Sequence, residues 1–396
     1  MAGPLSHIRV LDLSRILAGP WAGQILADLG ADVVKVERPG AGDDTRAWGP
    51  PFLKDRDGKD TREAGYYLAV NRGKRSIALD LDKPEGQAIV KALAARADIV
   101  LENFKAGTLA KFGLDYESLA KINPRLVYCS ITGFGQTGPK RDHAAYDFMI
   151  QGMGGLMSLT GEAEGTPGST PQKVGVPITD IMTGMYAAIA VLAGLAGRAE
   201  TGRGDYIDIG MLDVQVSYLA NQAMNYLLSG KTPRRTGNAH PNIQPQNVFI
   251  VADGHLVLVA GNDGQFEKFA EVLGQPELAR DERFATNPAR VRNRGALYAI
   301  IEPILASLPL AHWVAALEKA GVPAGPINTV PMVFDEPQVK HREMLIEVPH
   351  PVSGTVPLVA SPMKFTDAKL EYHRAPPMLG QHTDEVLREI GWSPRG

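Results

Sequence analysis

"HIRVLDLSRILAGPWAGQILADLGADVVKVERP" (residues 7–39) reads as strand, helix, strand. Its two ends are short runs rich in Val, Leu and Ile, and the middle, "GPWAGQILADLG", has the apolar spacing of a helix. The alternation continues. "KRSIALDL" (74–81), "DIVLENF" (98–104) and "RLVYCSITGFG" (125–135) are further strand-like runs, and "EGQAIVKALAARA" (85–97) is helical. Strands joined through helices predict an α/β protein whose large domain is a doubly wound, mostly parallel sheet with helices on both faces. Such sheets bind ligands at the carboxyl edges of their strands. Those edges carry Arg15, Arg38, Asn103, Phe104 and Gly133, so a site is expected along them.

At 396 residues the chain exceeds the roughly 250–300 that one core serves, so a second domain is expected. The texture changes at "KTPRRTGNAHPNIQPQ" (231–246), a Pro-, Asn- and Arg-rich connection, and a smaller α/β unit follows it. "GVPAGPINTVPMVFDEP" (321–337) is a second link. The expected division is a large domain over 1–225, a small domain over 226–325, and 326–396 as linker and return to the large domain. Within that return, "EVPHPVSGTVPLVASPMKF" (347–365) suits a β-hairpin, and "GQHTDEVLREIG" (380–391) a helix capped by Thr383 and stopped by Gly391.

A net charge of −3, with Lys and Arg scattered, gives no footprint for nucleic acid. Cys129 is the only cysteine, which excludes an intrachain disulfide and reads as a small buried hydrophobe in a strand. No uncharged run reaches the ~20 residues that span a bilayer, and the first residues lack a secretory pattern. A soluble cytoplasmic protein without membrane attachment is expected. No histidine pair has zinc-ligand spacing, so no metal site is expected.

Three stretches carry chemistry. "GVPITDIMTGMYAAIAVLAG" (175–194) sets Asp180 at the mouth of an apolar helical run. Thr179 or Asp180 would cap that helix. The same geometry holds a carboxylate rigid, keeps it ionised by the macrodipole and suits a nucleophile. "GFGQTG" (133–138) matches G-x-G-x-x-G, on which an NAD-dependent oxidoreductase would rest. It follows about the fifth strand, Pro139 succeeds it, and the first strand-to-helix turn, "SRILAGP", lacks the fingerprint. "NRGKRS" (71–76) concentrates three positive charges, either as a solvated turn or as a cradle for phosphates.

In order, "VLDLSRILAGPWAGQILADLGADVVKVERPGAGDDTRAWGPP", "NRGKRSIALDL", "LENF", "GFGQTGP", "AAYDFMIQGMGGLMSLTG", "TDIMTG" and "LGQHT" resemble the family III CoA-transferases along essentially the whole chain. That family includes formyl-CoA:oxalate and carnitine CoA-transferases and α-methylacyl-CoA racemase. "ERPGAGDDTRAWGPPF", "YCSITGFGQTGP", "GNAHPNI" and "GVPAGPIN" are most like its succinyl-CoA:glutarate CoA-transferases.

The resemblance implies a transferase that moves CoA from succinyl-CoA to a dicarboxylic acid, glutarate foremost. It makes Asp180 the nucleophile, passing through an aspartyl anhydride and an aspartyl-CoA thioester. The acyl-CoA is substrate, and no permanently bound cofactor is implied. For CoA it points to Arg38, Arg75, Asn103, Phe104, Lys111 and Tyr146. Tyr146 stands where the family's racemases carry the histidine of a His-Asp pair, which favours transferase over racemase. Leu17, a candidate substrate residue, stands where formyl-CoA transferase has Gln, and that enzyme's glycine-rich lid is not evident. Asp263 aligns loosely with a racemase carboxylate, but its "DG" is also turn chemistry. Arg234, Asn238 and His240, with Arg235, are candidates for anchoring a second carboxylate. The family fold is an interlocked homodimer. A silent CoA-binding module is the reading in which loss of Asp180 would cost nothing.

Overall fold

The computed structural model describes residues 3–370 and 372–392. Two compact units emerge: one of residues 1–156, 174–221 and 337–396, the other of 157–173 and 222–336. The second unit therefore takes in a segment, 157–173, that the expected division left in the large domain, and its other borders lie at 222 and 336 rather than 226 and 325. Residues 157–173 are turn-rich, and their pairing is non-local: Glu164 N donates to the Arg235 carbonyl at 2.9 Å. Composition carries no trace of such a partnership.

In the first unit the strands are β1 (Arg9–Asp12), β2 (Asp32–Glu37), the short pair β3 (Phe52–Lys54) and β4 (Asp60–Ala64), then β5 (Lys74–Ala78), β6 (Ile99–Glu102), β7 (Val127–Thr132) and β8 (Tyr206–Gly210). Six form one sheet in the order β5-β2-β1-β6-β7-β8, and every neighbouring pair is parallel. Alternate residues feed two cores. Leu11, Val34, Val36, Val100 and Tyr128 face one side with the helix Pro84–Ala94. Val10, Val33, Ile99, Leu101, Val127 and Cys129 face the other with the helices Ala18–Asp28 and Ile178–Thr201. Both faces are covered, as a parallel sheet requires, and the doubly wound expectation holds for this sheet. Cys129 is buried in β7 as expected.

The chain winds outward from β1 through β2 to β5, returns, and winds the other way through β6, β7 and β8. The direction therefore reverses between β1 and β6, which opens a crevice beyond their carboxyl ends. Asn103 bridges it: its Oδ1 accepts from Arg15 N at 2.9 Å and its Nδ2 donates to the Arg15 carbonyl at 2.6 Å.

The helix Ile178–Thr201 is long and apolar enough to cross a bilayer by length and composition. Here it lies on the sheet, its buried Ala187, Ala188 and Val191 packed in the same core as Val127 and Ile131.

The second unit contains β9 (Gln246–Val251), β10 (Gly254–Val259) and β11 (Ala324–Gly325) in an antiparallel sheet ordered β11-β10-β9. Its core gathers Phe249, Leu258, Phe266, Phe269, Leu297 and Trp313. Asp263 is a scaffold group there, accepting from buried Arg290 at 2.7 Å and from Asn287 N at 2.9 Å.

The returning segment forms the expected hairpin, β12 (Leu345–His350) with β13 (Gly354–Val359). It also forms the helix Thr383–Glu389, whose cap position is His382. Thr383 Oγ1 donates instead to the Gly380 carbonyl and accepts from Ala78 N, so its hydroxyl ties the helix to β5.

Candidate active site

Asp180 is the third residue of the helix Ile178–Thr201. The "DIMTG" run explains how that helix is seated. The Thr183 hydroxyl donates back to the Thr179 carbonyl at 2.7 Å. Gly184 lies so near the helix Ala18–Asp28 that a Cβ there would meet the Ala18 carbonyl oxygen at 2.5 Å. Only a residue without a side chain allows that approach. The result sets the Asp180 helix against the chain just beyond β1.

The cap expected of Thr179 or Asp180 is supplied by neither. Helix geometry begins two residues before Asp180, so both side chains are inside the first turn and past the cap position. The Asp147 carboxylate takes over: Oδ1 accepts from the amides of Thr179 at 2.7 Å and Asp180 at 3.2 Å. Its Oδ2 accepts from Gln151 Nε2 at 2.5 Å, and Gln151 Oε1 in turn accepts from Val174 N at 2.9 Å. Thr179 spends its hydroxyl on Gln215 Oε1 at 2.8 Å.

Asp180 is thereby left free for chemistry. It is only 9% exposed, and among the described residues its carboxylate accepts no hydrogen bond. Burial, reinforced by the Asp147 charge, pushes its carboxyl up to about 7. The expectation that the helix end keeps it ionised is thus corrected below about pH 7, where burial and the Asp147 charge favour the neutral carboxyl. Tyr66, which the sequence reading missed, feels the same pair. Burial first, then the charges of Asp180 and Asp147, push its hydroxyl up to about 12. Nothing in "EAGYYLAV" marks it as near a carboxylate 114 positions on.

Asp180 opens into a cleft of about 200 Å³ at the β1/β6 crevice, shared with Arg15, Ile16, Asn103, Phe104, Gly133 and Tyr146. A second cavity of about 300 Å³ adjoins it through Arg15 and Phe104 and runs to Arg38, Thr108 and Phe112. Together they make a groove leading from exposed Arg38 to the carboxylate. The structure thus brings Arg38, Asn103, Phe104, Tyr146 and Asp180 to one groove. Lys105, Arg141 and His143, which the sequence reading passed over, line it too.

Other expected groups are elsewhere. Lys111 is exposed and lines neither cavity. Arg75 does not fit a phosphate role in this arrangement: its guanidinium is buried, and all three nitrogens donate to the carboxylates of Asp32, Glu385 and Glu389. Leu17 is only 4% exposed and packs inward, while its neighbours Ile16 and Ala18 face the cleft. Arg234, Asn238 and His240 belong to the second unit, where Arg234 lies 3.8 Å from Glu164 and His240 Nδ1 accepts from Asn242 N.

"NRGKRS" is neither a solvated turn nor a phosphate cradle but a row of buried cations, each paired with an acid. Arg72 meets Asp28 at 2.6 Å, Lys74 meets Asp12 at 2.9 Å, and Arg75 meets its three acids. Beside them Lys35 pairs with Asp43 at 2.9 Å and donates to the Ser14 carbonyl at 2.7 Å. Burial alone would pull the Lys35 ammonium down, but Asp43, Asp12 and Glu37 hold it above its usual value. Asp43 also accepts from Ile16 N, and Ile16 sits at φ +71°. A β-branched residue adopts that left-handed conformation only when its surroundings impose it.

"GFGQTG" is a turn. Gly135 and Gly138 take φ of +82° and +84°, and no helix opens until Asp147, so the phosphate-binding helix end of a dinucleotide site is missing. Gly133 is small for a separate reason: a Cβ there would strike the Ala145 side chain at 2.1 Å.

Known proteins match this arrangement over nearly its whole length. The sequence is 51% identical over 387 residues to the succinate–glutarate CoA-transferase of Agrobacterium fabrum, covering 98% of this chain and 96% of that protein. It is 43% identical to the succinyl-CoA:glutarate CoA-transferase of Homo sapiens, covering 98% and 86% respectively. The crystal structure of a CAIB/BAIF family protein from Brucella suis superposes with a TM-score of 0.85 at 53% identity, covering 98% of this chain and all of that one. The model of CoA-transferase family III matches residues 5–383, and the chain belongs to that family.

Proposed function

We propose that this enzyme transfers CoA between succinyl-CoA and glutarate, with Asp180 as the nucleophile. The observation that carries the assignment of Asp180 is its placement, a buried carboxylate that accepts no hydrogen bond among the described residues, at the inner end of a groove. The relatives' identities over 98% of the chain support the substrates.

The groove suits the chemistry. Asp180 attacks the thioester carbonyl, the C–S bond breaks, and CoA thiolate leaves with the electron pair. The thiolate attacks the Asp180 acyl carbon of the mixed anhydride, which releases succinate and leaves an aspartyl-CoA thioester. Glutarate repeats the exchange in reverse to give glutaryl-CoA and free Asp180. Each step conserves an activated acyl bond. Burial serves the reaction twice, by raising the basicity of the nucleophile and by keeping water from the anhydride. In this reading Arg38 serves the CoA phosphates, and Asn103 and Phe104 its nucleoside. We also place a second copy of the chain over the Asp180 helix and its neighbour. Met185, Tyr186 and Ile189 are 42%, 40% and 61% exposed there, and Phe148 59%, an apolar surface suited to an interface.

The test is acyl exchange from succinyl-CoA to glutarate, oxalate and hydroxymethylglutarate, read by mass spectrometry for the native enzyme and Asp180→Ala. Glutaryl-CoA from the native enzyme alone is expected. His143 puts one imidazole in the cleft, so α-proton exchange on an α-methylacyl-CoA is measured in parallel. Exchange there without acyl transfer would make the enzyme a racemase.

A further inference from the structure

We propose that Asp147 is a positioning residue that drives Asp180 toward its acylated forms: it occupies the cap of the nucleophile's helix and stands its own charge beside a carboxylate that loses charge on acylation. The inference rests on Asp180 being the nucleophile.

The geometry is asymmetric. Three N–H donors converge on Asp147, from Thr179, Asp180 and Gln151, and none of these reaches the Asp180 carboxylate. Donors stabilise charge where they point, so the pair has one accommodated anion and one exposed to its field. Free Asp180 is an anion beside an anion. Its anhydride and its thioester are both neutral at that position, so each acylation removes the repulsion and each deacylation restores it. Ground-state repulsion that is absent from the intermediates favours their formation. The upward push on the Asp180 carboxyl, in which Asp147 is the one charge besides burial, agrees in direction.

The groups facing the pair are few. Tyr66 approaches from the helix Gly65–Leu68. Tyr218 contacts Thr179 at 3.0 Å and feels Asp147. Arg15, Arg141, His143 and Lys105 line the cleft. They share the cleft with Asp180, yet Asp147 is the charged group that moves its carboxyl.

Asp147→Asn separates charge from cap, because its amide oxygen can still accept from Thr179 and Asp180 N–H. The experiment measures the acidic limb of kcat/KM and, by intact mass, the fraction of enzyme held as aspartyl-CoA thioester with succinyl-CoA and no acceptor. Wild type is expected to show a limb near pH 7. Asp147→Asn is expected to lower that limb by about one unit and the thioester-to-free ratio about tenfold at pH 8. Asp147→Glu, which keeps the charge, is expected to keep the limb near wild type whatever its rate. A wild-type limb below pH 5 overturns the proposal without any variant, as does an Asp147→Asn enzyme with unchanged limb and trapped fraction. Failure of native enzyme to form any thioester at Asp180 overturns the transferase reading instead.

Discussion

Replacing Asp180, the proposed nucleophile, should make the protein more stable, and only above a definite pH. The folded chain holds the Asp180 carboxyl at about 7, against an ordinary 3.8. Below about pH 4 this group is neutral both folded and unfolded. From there to about pH 7 the unfolded chain releases the proton while the folded chain keeps it, so stability falls as pH rises. Above 7 the carboxylate is charged in both states and the whole cost is present. A shift of about three units at 1.36 kcal/mol each comes to about 4 kcal/mol. Asp180→Asn has no charge to bury at any pH. Its advantage over wild type should therefore widen by about 2.7 kcal/mol between pH 5 and pH 8, or several degrees in Tm at about 2 °C per kcal/mol. Thermal melts of both proteins at the two pH values measure it. A Tm difference that is the same at pH 5 and pH 8 would refute the claim that a buried, repelled carboxylate is what the fold tolerates for its chemistry.

Gly184→Ala should cost about 2 kcal/mol in stability and lower kcat as well, because a Cβ 2.5 Å from the Ala18 carbonyl forces apart the helix carrying Asp180 and the helix beside the cleft; melts and exchange rates at saturating succinyl-CoA check both. Arg38→Ala should raise KM for succinyl-CoA about tenfold with little change in kcat, whereas Arg75→Met should lose about 2 kcal/mol of stability and leave that KM near wild type, since Arg75 is committed to Asp32, Glu385 and Glu389. Equal KM effects from the two would restore Arg75 to the phosphate site.

The sheet was legible because its signal is local. "VLDL", "VVKVE" and "VYCSIT" each alternate between two cores, so the run of apolar residues and the helices between them specify the layers without knowledge of partners. For Asp180 only the place is legible, a lone acid at the start of an apolar helix; that stretch also reads as a cap, and the nucleophile role comes from the family resemblance. The actual cap was not legible, because Asp147 reaches Thr179 and Asp180 from 32 and 33 positions away. Charge was the least legible property. "NRGKRS" has the composition of a solvated turn, and only the fold brings Asp12, Asp28 and Asp32 to it. Segment 157–173 failed likewise, its partner lying beyond residue 222.

The buried ion pairs also explain how a sheet with dinucleotide-like strand order serves another ligand. In a dinucleotide site the first strand-to-helix turn is glycine-rich, so that the helix end can receive a pyrophosphate. Here that turn is "SRILAGP", and it is braced from beneath: Lys35 holds the Ser14 carbonyl, Asp43 holds the Ile16 amide, and Asn103 clasps Arg15 on both sides of its backbone. Such bracing fixes Ile16 in a left-handed conformation and puts an isoleucine side chain in the cleft where the fingerprint would leave bare backbone. In the proposed assignment the phosphates fall to Arg38 at the outer end of the groove, and the inner end sets Asp180 in a cleft shared with Arg15, Lys105, Arg141 and His143. Removing the brace should therefore act at a distance from it. Lys35→Met would leave Asp43 buried without its ion pair and release the Ser14 carbonyl, and the loss should appear in kcat as well as in stability, because Ile16 borders Asp180. A Lys35→Met enzyme with a lowered Tm but wild-type kcat would show that the turn holds its shape without the ion pair, and that the buried charges serve folding alone.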